Sequence, residues 1–121
     1  MKREDKELLF KDLSARVPYG TKIQAGEFKE TLTDAVKWGE GARVNGHKLE
    51  TIKPYLRSLS SMTEEEDKEF AMLQTDFYID GWLYPIAAVN MVNWLNAHHF
   101  DYRGMIEKGL ALEVPKDMYE V

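Results

Sequence analysis

Turn-forming residues recur every few positions between Gly20 and Gly46, and this spacing limits what the first half of the chain can fold into. The runs between the turns are three to five residues long and cover residues 21–24, 28–32, 35–38, 43–45 and 47–50. Short strands separated by Gly and Asx turns are typical of a β-meander or a small antiparallel barrel. Residues 52–56 are predicted to form a tight turn, because Pro54 suits neither a helix interior nor a central strand. Five strands with such a turn before the last one resemble an SH3-like barrel.

An amphipathic helix is predicted over residues 4–16. Its apolar stripe contains Leu8, Leu9, Leu13 and, one turn further on, Val17, with Phe10 at the margin. The residues outside this stripe are Lys6, Lys11, Asp12 and Arg16. The helix is expected to stop at Pro18, since the residue before a proline is driven out of the helical region and Gly20 supplies a turn.

The second half opens with a capping box formed by Thr63 and Glu66. In this motif the hydroxyl accepts a hydrogen bond from the third amide of the helix, and the carboxylate accepts one from the amide of the capping residue. The helix that follows is predicted to reach about Leu73. Residues 76–79 and 82–84 are rich in aromatic side chains and flank Asp80-Gly81, a pair that favours a two-residue β-hairpin turn.

A further helix is predicted over residues 85–98, because the missing amide of Pro85 is no loss at the first helical position. Asp101 then caps a short last helix that ends at Gly109. The predicted fold class is α+β: an N-terminal helix, a small antiparallel β-meander or SH3-like barrel, then a helix, a β-hairpin and two C-terminal helices. Residues 1–121 are expected to form a single compact domain, with a mainly β lobe over about 1–60 and a mainly helical lobe over about 61–121.

Composition excludes several classes of protein. Of the 121 residues, 44% are hydrophobic and none is cysteine, so a core is expected, whereas disulfides, cysteine-ligated metals and thiol catalysis are excluded. No apolar run approaches the ~20 residues that a membrane span needs. The charged start of the chain is not followed by the apolar stretch of a secretory signal. The protein is therefore expected to be cytoplasmic, with no membrane contact.

Charge is divided unevenly along the chain. Residues 1–60 contain 12 Lys and Arg against 9 Asp and Glu (net +3), whereas residues 61–121 contain 4 against 12 (net −8). Such asymmetry can mark a surface that meets a charged partner. The alternative is that the acidic run at residues 64–67 opens a helix, where carboxylates are favoured by the helix macrodipole.

His98, His99 and Asp101 form the one cluster of residue types that serve in catalysis. One histidine would act as a base or metal ligand, oriented by Asp101. Neighbouring residues on a helix point about 100° apart, so the two histidines are poorly placed to share a metal, and no third ligand follows at a recognisable spacing. We interpret the cluster as a helix end, in which histidines complement the dipole, and we expect no catalytic residue, metal or cofactor.

Two groups of residues are candidates for binding. The first is an aromatic and amide group, which forms a protein-interaction surface unless its aromatic members belong to the core and its amides to the solvent face of an amphipathic helix: Phe77, Tyr78, Trp82, Tyr84, Asn90 and Asn93. The second is a set of cations in the basic half that would contact phosphates: Lys22, Lys37, Arg43 and Lys48. Acidic residues are interspersed among these cations, and no arginine cluster accompanies them.

Three segments carry a resemblance to a known family. They are residues 11–20 (KDLSARVPYG), 52–65 (IKPYLRSLSSMTEE) and 94–113 (WLNAHHFDYRGMIEKGLALE). In this order they resemble small uncharacterised proteins of gut Bacteroides-type bacteria and of their phages and mobile elements. The matching blocks cover a little over a third of the chain, and residues 21–51 and 72–93 fit no pattern of the family. The resemblance implies a bacterial cytoplasm in which phage genes are expressed, and it assigns no catalytic residue.

The function expected from these observations is that of a small, non-enzymatic accessory protein, phage- or mobile-element-associated, that binds a bacterial host protein or complex and inhibits or modulates it. A chain without a nucleophile–base pair, a metal set or a cofactor loop fits binding better than catalysis. The alternative is a protein that binds nucleic acid or a nucleotide through the basic N-terminal β half.

Overall fold

The computed structural model describes residues 1–39, 41–79 and 84–119. Within them lie three α-helices, α1 (Arg3–Arg16), α2 (Glu64–Ile79) and α3 (Tyr84–Ala97). The strands are β1 (Lys22–Ala25), β2 (Phe28–Thr31), β3 (Ala35–Trp38), β4 (Gly41–Val44), β5 (His47–Lys48), β6 (Ile52–Leu56) and β7 (Leu112–Glu113). Single 3₁₀ turns occupy Val17–Tyr19, Leu49–Thr51, Leu59–Ser61 and Lys116–Tyr119. The protein is thus mixed α+β and begins with a helix, as predicted.

The strands form two sheets, with the orders β2-β1-β6-β7 and β3-β4-β5. All pairs are antiparallel except β6 with β7, which is parallel. Ala25 pairs with Phe28 across a two-residue turn, and Gly26 in that turn has a φ of 62°, which glycine adopts without strain. The short strands that the turn spacing predicted are therefore present, but no closed barrel forms among the described residues.

Residues 52–56 form β6, so the prediction of a turn there was wrong. Pro54 lies opposite Ile23 of β1, inside a four-stranded sheet. On the other edge of β6, β7 pairs only with Tyr55 and Leu56. Proline is tolerated here because its missing N–H falls where that edge of the strand has no partner.

The hydroxyl of Tyr119 continues the contact between β1 and β6 beyond the last backbone pair. It accepts a hydrogen bond from the Lys22 amide (3.1 Å) and donates one to the Tyr55 carbonyl. The tyrosine ring stacks on the His99 imidazole, with 3.7 Å between the ring centroids. Burial raises the pKa of Tyr119 to about 12, so the hydroxyl keeps the proton that it donates. The end of the chain is thereby anchored to the four-stranded sheet.

The core lies between α1 and the two sheets. Its buried members include Leu9, Leu13, Ile23, Leu32, Val44, Leu49, Ile52, Leu56, Met105 and Leu110. Leu9 and Leu13 of α1 have no exposed surface, which confirms the apolar stripe predicted for this helix.

Asp12 and Arg16, predicted to lie outside the stripe, are also fully buried. Their side chains form a bidentate pair, Nε to Oδ2 at 2.9 Å and Nη2 to Oδ1 at 3.1 Å. The same Nη2 donates to the Phe100 carbonyl at 2.7 Å. The prediction was wrong because a helical pattern treats each charge alone, whereas burial is tolerable for charges that satisfy one another.

The capping box of α2 is confirmed. The Glu66 amide donates to Thr63 Oγ1 (3.2 Å), and the Thr63 amide donates to Glu66 Oε1 (2.9 Å). The helix continues past Leu73 to Ile79, so residues 76–79 are helical and the predicted β-hairpin is wrong in its first strand. Once nucleated, a helix gains a hydrogen bond for each added residue, which outweighs a local turn signal. The Asp80-Gly81 turn and Trp82 lie outside the described residues.

The predicted helix after Asp101 is a series of turns instead. The Asp101 carboxylate nevertheless acts as expected of a cap, because it accepts hydrogen bonds from the amides of Met105 and Ile106, both at 2.9 Å. Gly109 closes these turns with a φ of 73°, a conformation that favours glycine.

Candidate functional site

Helix α3 contains no charged residue along its 14 positions. Apolar side chains on a helix normally pack against the rest of the protein. Only part of α3 is buried, at Ala87, Leu95 and Asn96, whereas Ile86 is 60% exposed and Val89 is 56% exposed. The helix therefore presents apolar side chains to solvent.

These exposed side chains form a continuous surface, which we call the outer face. Its members are Ile86, Val89, Asn90, Val92, Asn93 and Ala97. Positions 86, 89 or 90, 93 and 97 follow the helical repeat and so lie along one side of α3. A stripe with this spacing has the form that packs against another helix.

Helix α2 borders the outer face with a second stripe, the α2 edge, which consists of Glu65, Glu69 and Met72. The spacing of these exposed residues places them on one side of α2. Trp94 Nε1 donates to Glu69 Oε2 at 3.1 Å, so this side of α2 lies next to α3. Met72 is 70% exposed. The two helices together thus offer an apolar surface with carboxylates along one edge.

Aromatic stacking fixes the two helices to one another and to the rest of the protein. The Trp94 indole of α3 stacks on Phe70 of α2, with ring centroids 5.3 Å apart. It also stacks on Phe100 (5.7 Å) and lies 4.2 Å from the His98 ring. Phe100 is fully buried, so the stacked rings connect the pair of helices that carries the outer face to the interior of the protein.

A buried ion pair anchors the start of α2. Arg57, at the end of β6, donates from Nη1 and Nη2 to the two carboxylate oxygens of Glu66 at 2.8 and 2.7 Å. Its guanidinium lies 4.2 Å from the Phe100 ring centroid. Hydrogen bonds from Arg57, and secondarily from the Thr63 amide, lower the pKa of Glu66 to about 2. The carboxylate is therefore ionised at neutral pH, and it joins the helical pair to the four-stranded sheet.

The structure places His98, His99 and Asp101 in separate contacts. His98 Nδ1 lies 3.2 Å from Glu66, and His99 Nδ1 lies 3.0 Å from the Thr21 hydroxyl. His99 follows two residues after the end of α3 with a φ of 63°, and burial, together with the charge of Arg16, lowers its pKa to about 4. The imidazole is therefore neutral at physiological pH. In the described part of the chain, no group of three or more His, Asp or Glu residues could hold a metal ion.

The structure describes the amide candidates but not the side chains of the aromatic ones. Phe77 and Tyr78 lie in α2 and Tyr84 begins α3, but their side chains are outside what the structure describes, as is all of Trp82. Asn90 and Asn93 belong to the outer face. Ile86 and Val89 were not predicted from the sequence, although the absence of charge over residues 84–97 is a signal for an unpartnered helix.

The four candidate phosphate contacts are not brought together. Lys22 lies on β1, in the four-stranded sheet, and the other three lie in the three-stranded sheet. There Arg43 pairs with Lys48, whereas Lys37 pairs with Ala42 and so points to the opposite side. Phosphate binding by these residues stays a prediction.

A cleft of about 640 Å³ lies between the start of α1 and the three-stranded sheet, lined in part by Arg3, Lys6, Glu7, Phe10, Lys37 and Glu50. Two of its cations already have partners. Arg3 lies 3.2 Å from Glu7, and Lys6 lies 3.5 Å from Glu50. Lys37 is the one candidate phosphate contact among the lining residues.

Compared with known proteins, the chain matches no family model, no curated protein and no solved structure. None of the helices in the described ranges has the length and apolar character to cross a membrane.

Proposed function

We propose that this protein is a small, non-enzymatic accessory protein that binds a partner protein through the outer face of α3. The observation that carries this proposal is an uncharged helix whose Ile86 and Val89 are both more than half exposed. Exposed apolar stripes of this kind are uncommon on soluble proteins except where another surface covers them. Covering the stripe removes apolar area from water, which is the main driving force for association.

The resemblance of residues 11–20, 52–65 and 94–113 supports a bacterial setting for this interaction. The partner is then a host protein or complex that the phage- or mobile-element-associated protein inhibits or modulates. The contacts of Trp94 and the Arg57–Glu66 pair, which hold the two helices against each other and against the sheet, favour a preformed binding surface.

Affinity capture from a Bacteroides-type lysate, with and without nuclease, tests this function. The tagged protein is compared with Val89→Glu, which places a charge at the centre of the outer face. The matched control is Val36→Glu, which makes the same change at an exposed valine of β3. Thermal unfolding followed by circular dichroism verifies that both variants fold, as expected for surface substitutions.

A stoichiometric protein that is captured by the wild type and by Val36→Glu, but lost with Val89→Glu, supports the proposed function. A partner retained by both variants contradicts it, because binding would then not involve the outer face. Capture that disappears after nuclease treatment favours the nucleic-acid alternative instead.

A further inference from the structure

The α2 edge gives the candidate binding surface a definite charge. Glu65 and Glu69 are exposed, and in the described part of the chain no Lys or Arg forms an ion pair with either of them. The nearby Lys68 lies 3.6 Å from Glu64 instead. Because α3 contributes no cation, a docking segment on the outer face would meet the carboxylates of the α2 edge beside it.

Spacing and chemistry together define what fits this surface. The outer face is a helical stripe, and an amphipathic helix laid along it would bury its own apolar side in the manner of helix-in-groove recognition. Met72 adds a flexible, polarizable side chain that adapts to such a partner. The carboxylates of Glu65 and Glu69 would attract Lys or Arg along one margin of the docked helix and repel Asp or Glu there.

We propose that the partner segment recognised by this protein is a basic amphipathic helix, which packs its apolar side on the outer face and aligns Lys or Arg with the α2 edge. This inference rests on the proposed function and specifies the chemistry of the partner. A nucleic acid is disfavoured because its phosphates would meet carboxylates. A second copy of the chain is disfavoured because it brings a second α2 edge of the same charge.

Binding of defined peptides to the full-length protein tests this specificity. The probe is a fluorescein-labelled amphipathic peptide of about 18 residues built from Leu and Lys, long enough for about five helical turns. A second peptide replaces every Lys by Glu. Fluorescence anisotropy is measured at low and moderate salt for the wild type, Val89→Glu, a Glu65→Gln/Glu69→Gln variant, and Glu27→Gln as the control at an exposed turn.

We expect the wild type and Glu27→Gln to bind the Lys peptide and not the Glu peptide. The double glutamine variant should bind the Lys peptide about 3- to 10-fold more weakly, as expected for the loss of two exposed charge pairs. This difference should shrink as salt screens the charges. Val89→Glu should abolish binding of the Lys peptide.

Any of four results would overturn the proposal. If the two peptides bind equally, the partner segment is not recognised by its basic residues. The same follows if the double glutamine variant binds the Lys peptide as tightly as the wild type does. In both cases the outer face remains the proposed binding site. Lys-peptide binding unchanged in Val89→Glu shows that the peptide binds elsewhere. Sedimentation that shows a dimer lost in Val89→Glu assigns the face to a second copy. The proposed function fails separately, when the captured partner is retained by Val89→Glu.

Discussion

Glutamine in place of Glu66 tests the ion pair that anchors α2. The change keeps the size of the side chain and one acceptor oxygen but removes the charge. In the folded protein Glu66 is 5% exposed, and its partner Arg57 is 2% exposed. Arg57 would stay ionised without a counter-charge, and removing one member of a buried pair costs about 3–5 kcal/mol. We expect the lower end of this range, about 3 kcal/mol, because glutamine still accepts one hydrogen bond.

The pKa of Glu66 gives a second value for the stabilisation that the Arg57–Glu66 pair provides. Its fall from 4.5 to about 2 corresponds to about 3 kcal/mol at neutral pH, at about 1.4 kcal/mol for each pKa unit. The folded pKa lies below the unfolded one, so this stabilisation is present above about pH 4.5 and is lost as the pH falls towards 2. By about pH 3, about 2 kcal/mol of it should be gone. Arg57 stays charged throughout this range.

Urea unfolding at pH 7 and at pH 3 measures both effects. The free energy of unfolding of Glu66→Gln should be about 3 kcal/mol below the wild-type value at pH 7 and about 1 kcal/mol below it at pH 3. Glu64→Gln, in the same turn but exposed, should unfold like the wild type. The anchoring role of the ion pair would be refuted if Glu66→Gln lost no more free energy of unfolding at pH 7 than Glu64→Gln does. It would also be refuted if the difference between Glu66→Gln and the wild type were as large at pH 3 as at pH 7.

Three further predictions concern buried or half-buried polar groups. Tyr119→Phe leaves an amide of β1 and a carbonyl of β6 without partners and should lower the free energy of unfolding by about 2 kcal/mol. Tyr19→Phe is the control. Equal decreases in the free energy of unfolding for the two variants would contradict the role of the Tyr119 hydroxyl as a bridge between β1 and β6. Asp12→Asn leaves the guanidinium of Arg16 buried without a counter-charge, so it should lower the free energy of unfolding by at least about 3 kcal/mol in the same assay. A decrease below about 1 kcal/mol would show that the pair is dispensable. The His99 ring should titrate near pH 4 by NMR, and the protein should lose stability as the pH falls from about 6.5 to 4, because the folded pKa lies below the unfolded one. His99→Asn should flatten that part of the pH profile, whereas an NMR midpoint near 6.5 would show that the ring is solvated.

Features that depend only on residues close together in the sequence were predictable. The helix over residues 4–16 agrees with α1 to within one residue at its start, and the capping box of Thr63 and Glu66 forms as its spacing requires. The short strands between turns are also present, because the turn chemistry at positions such as Gly26 and Gly46 acts locally.

Features that depend on distant contacts were not predictable. Pro54 lies in a sheet because its strand pairs with β1 on one side and, at Tyr55 and Leu56, with β7 on the other, more than 50 residues further along the chain. Asp12 and Arg16 are buried because they pair with each other and because Arg16 donates a hydrogen bond to the Phe100 carbonyl, 84 residues further along the chain. Residues 76–79 are helical because α2 extends through them, although their aromatic content and the following Asp80-Gly81 favour a strand locally.

Only some residues of the candidate site could be predicted from the sequence. Asn90 and Asn93 were singled out and lie on the outer face. Ile86 and Val89 were missed because an apolar residue in a helix is ordinarily assigned to the core. Only the packing of α3, which buries Ala87 and Leu95 on the other side, shows that these two remain exposed.

The contacts of Thr21 and Lys22, at the start of the first strand, have a consequence for the order of folding. The Thr21 hydroxyl meets His99, 78 residues away, and the Lys22 amide meets the Tyr119 hydroxyl, 97 residues away. Closing loops of this length costs conformational entropy before the contacts compensate for it. The β1–β2 hairpin and the helices are therefore expected to form early, whereas the last step of the β1–β6 pairing waits for residues near Tyr119. During synthesis, the four-stranded sheet would be completed only after the chain has been made through Tyr119.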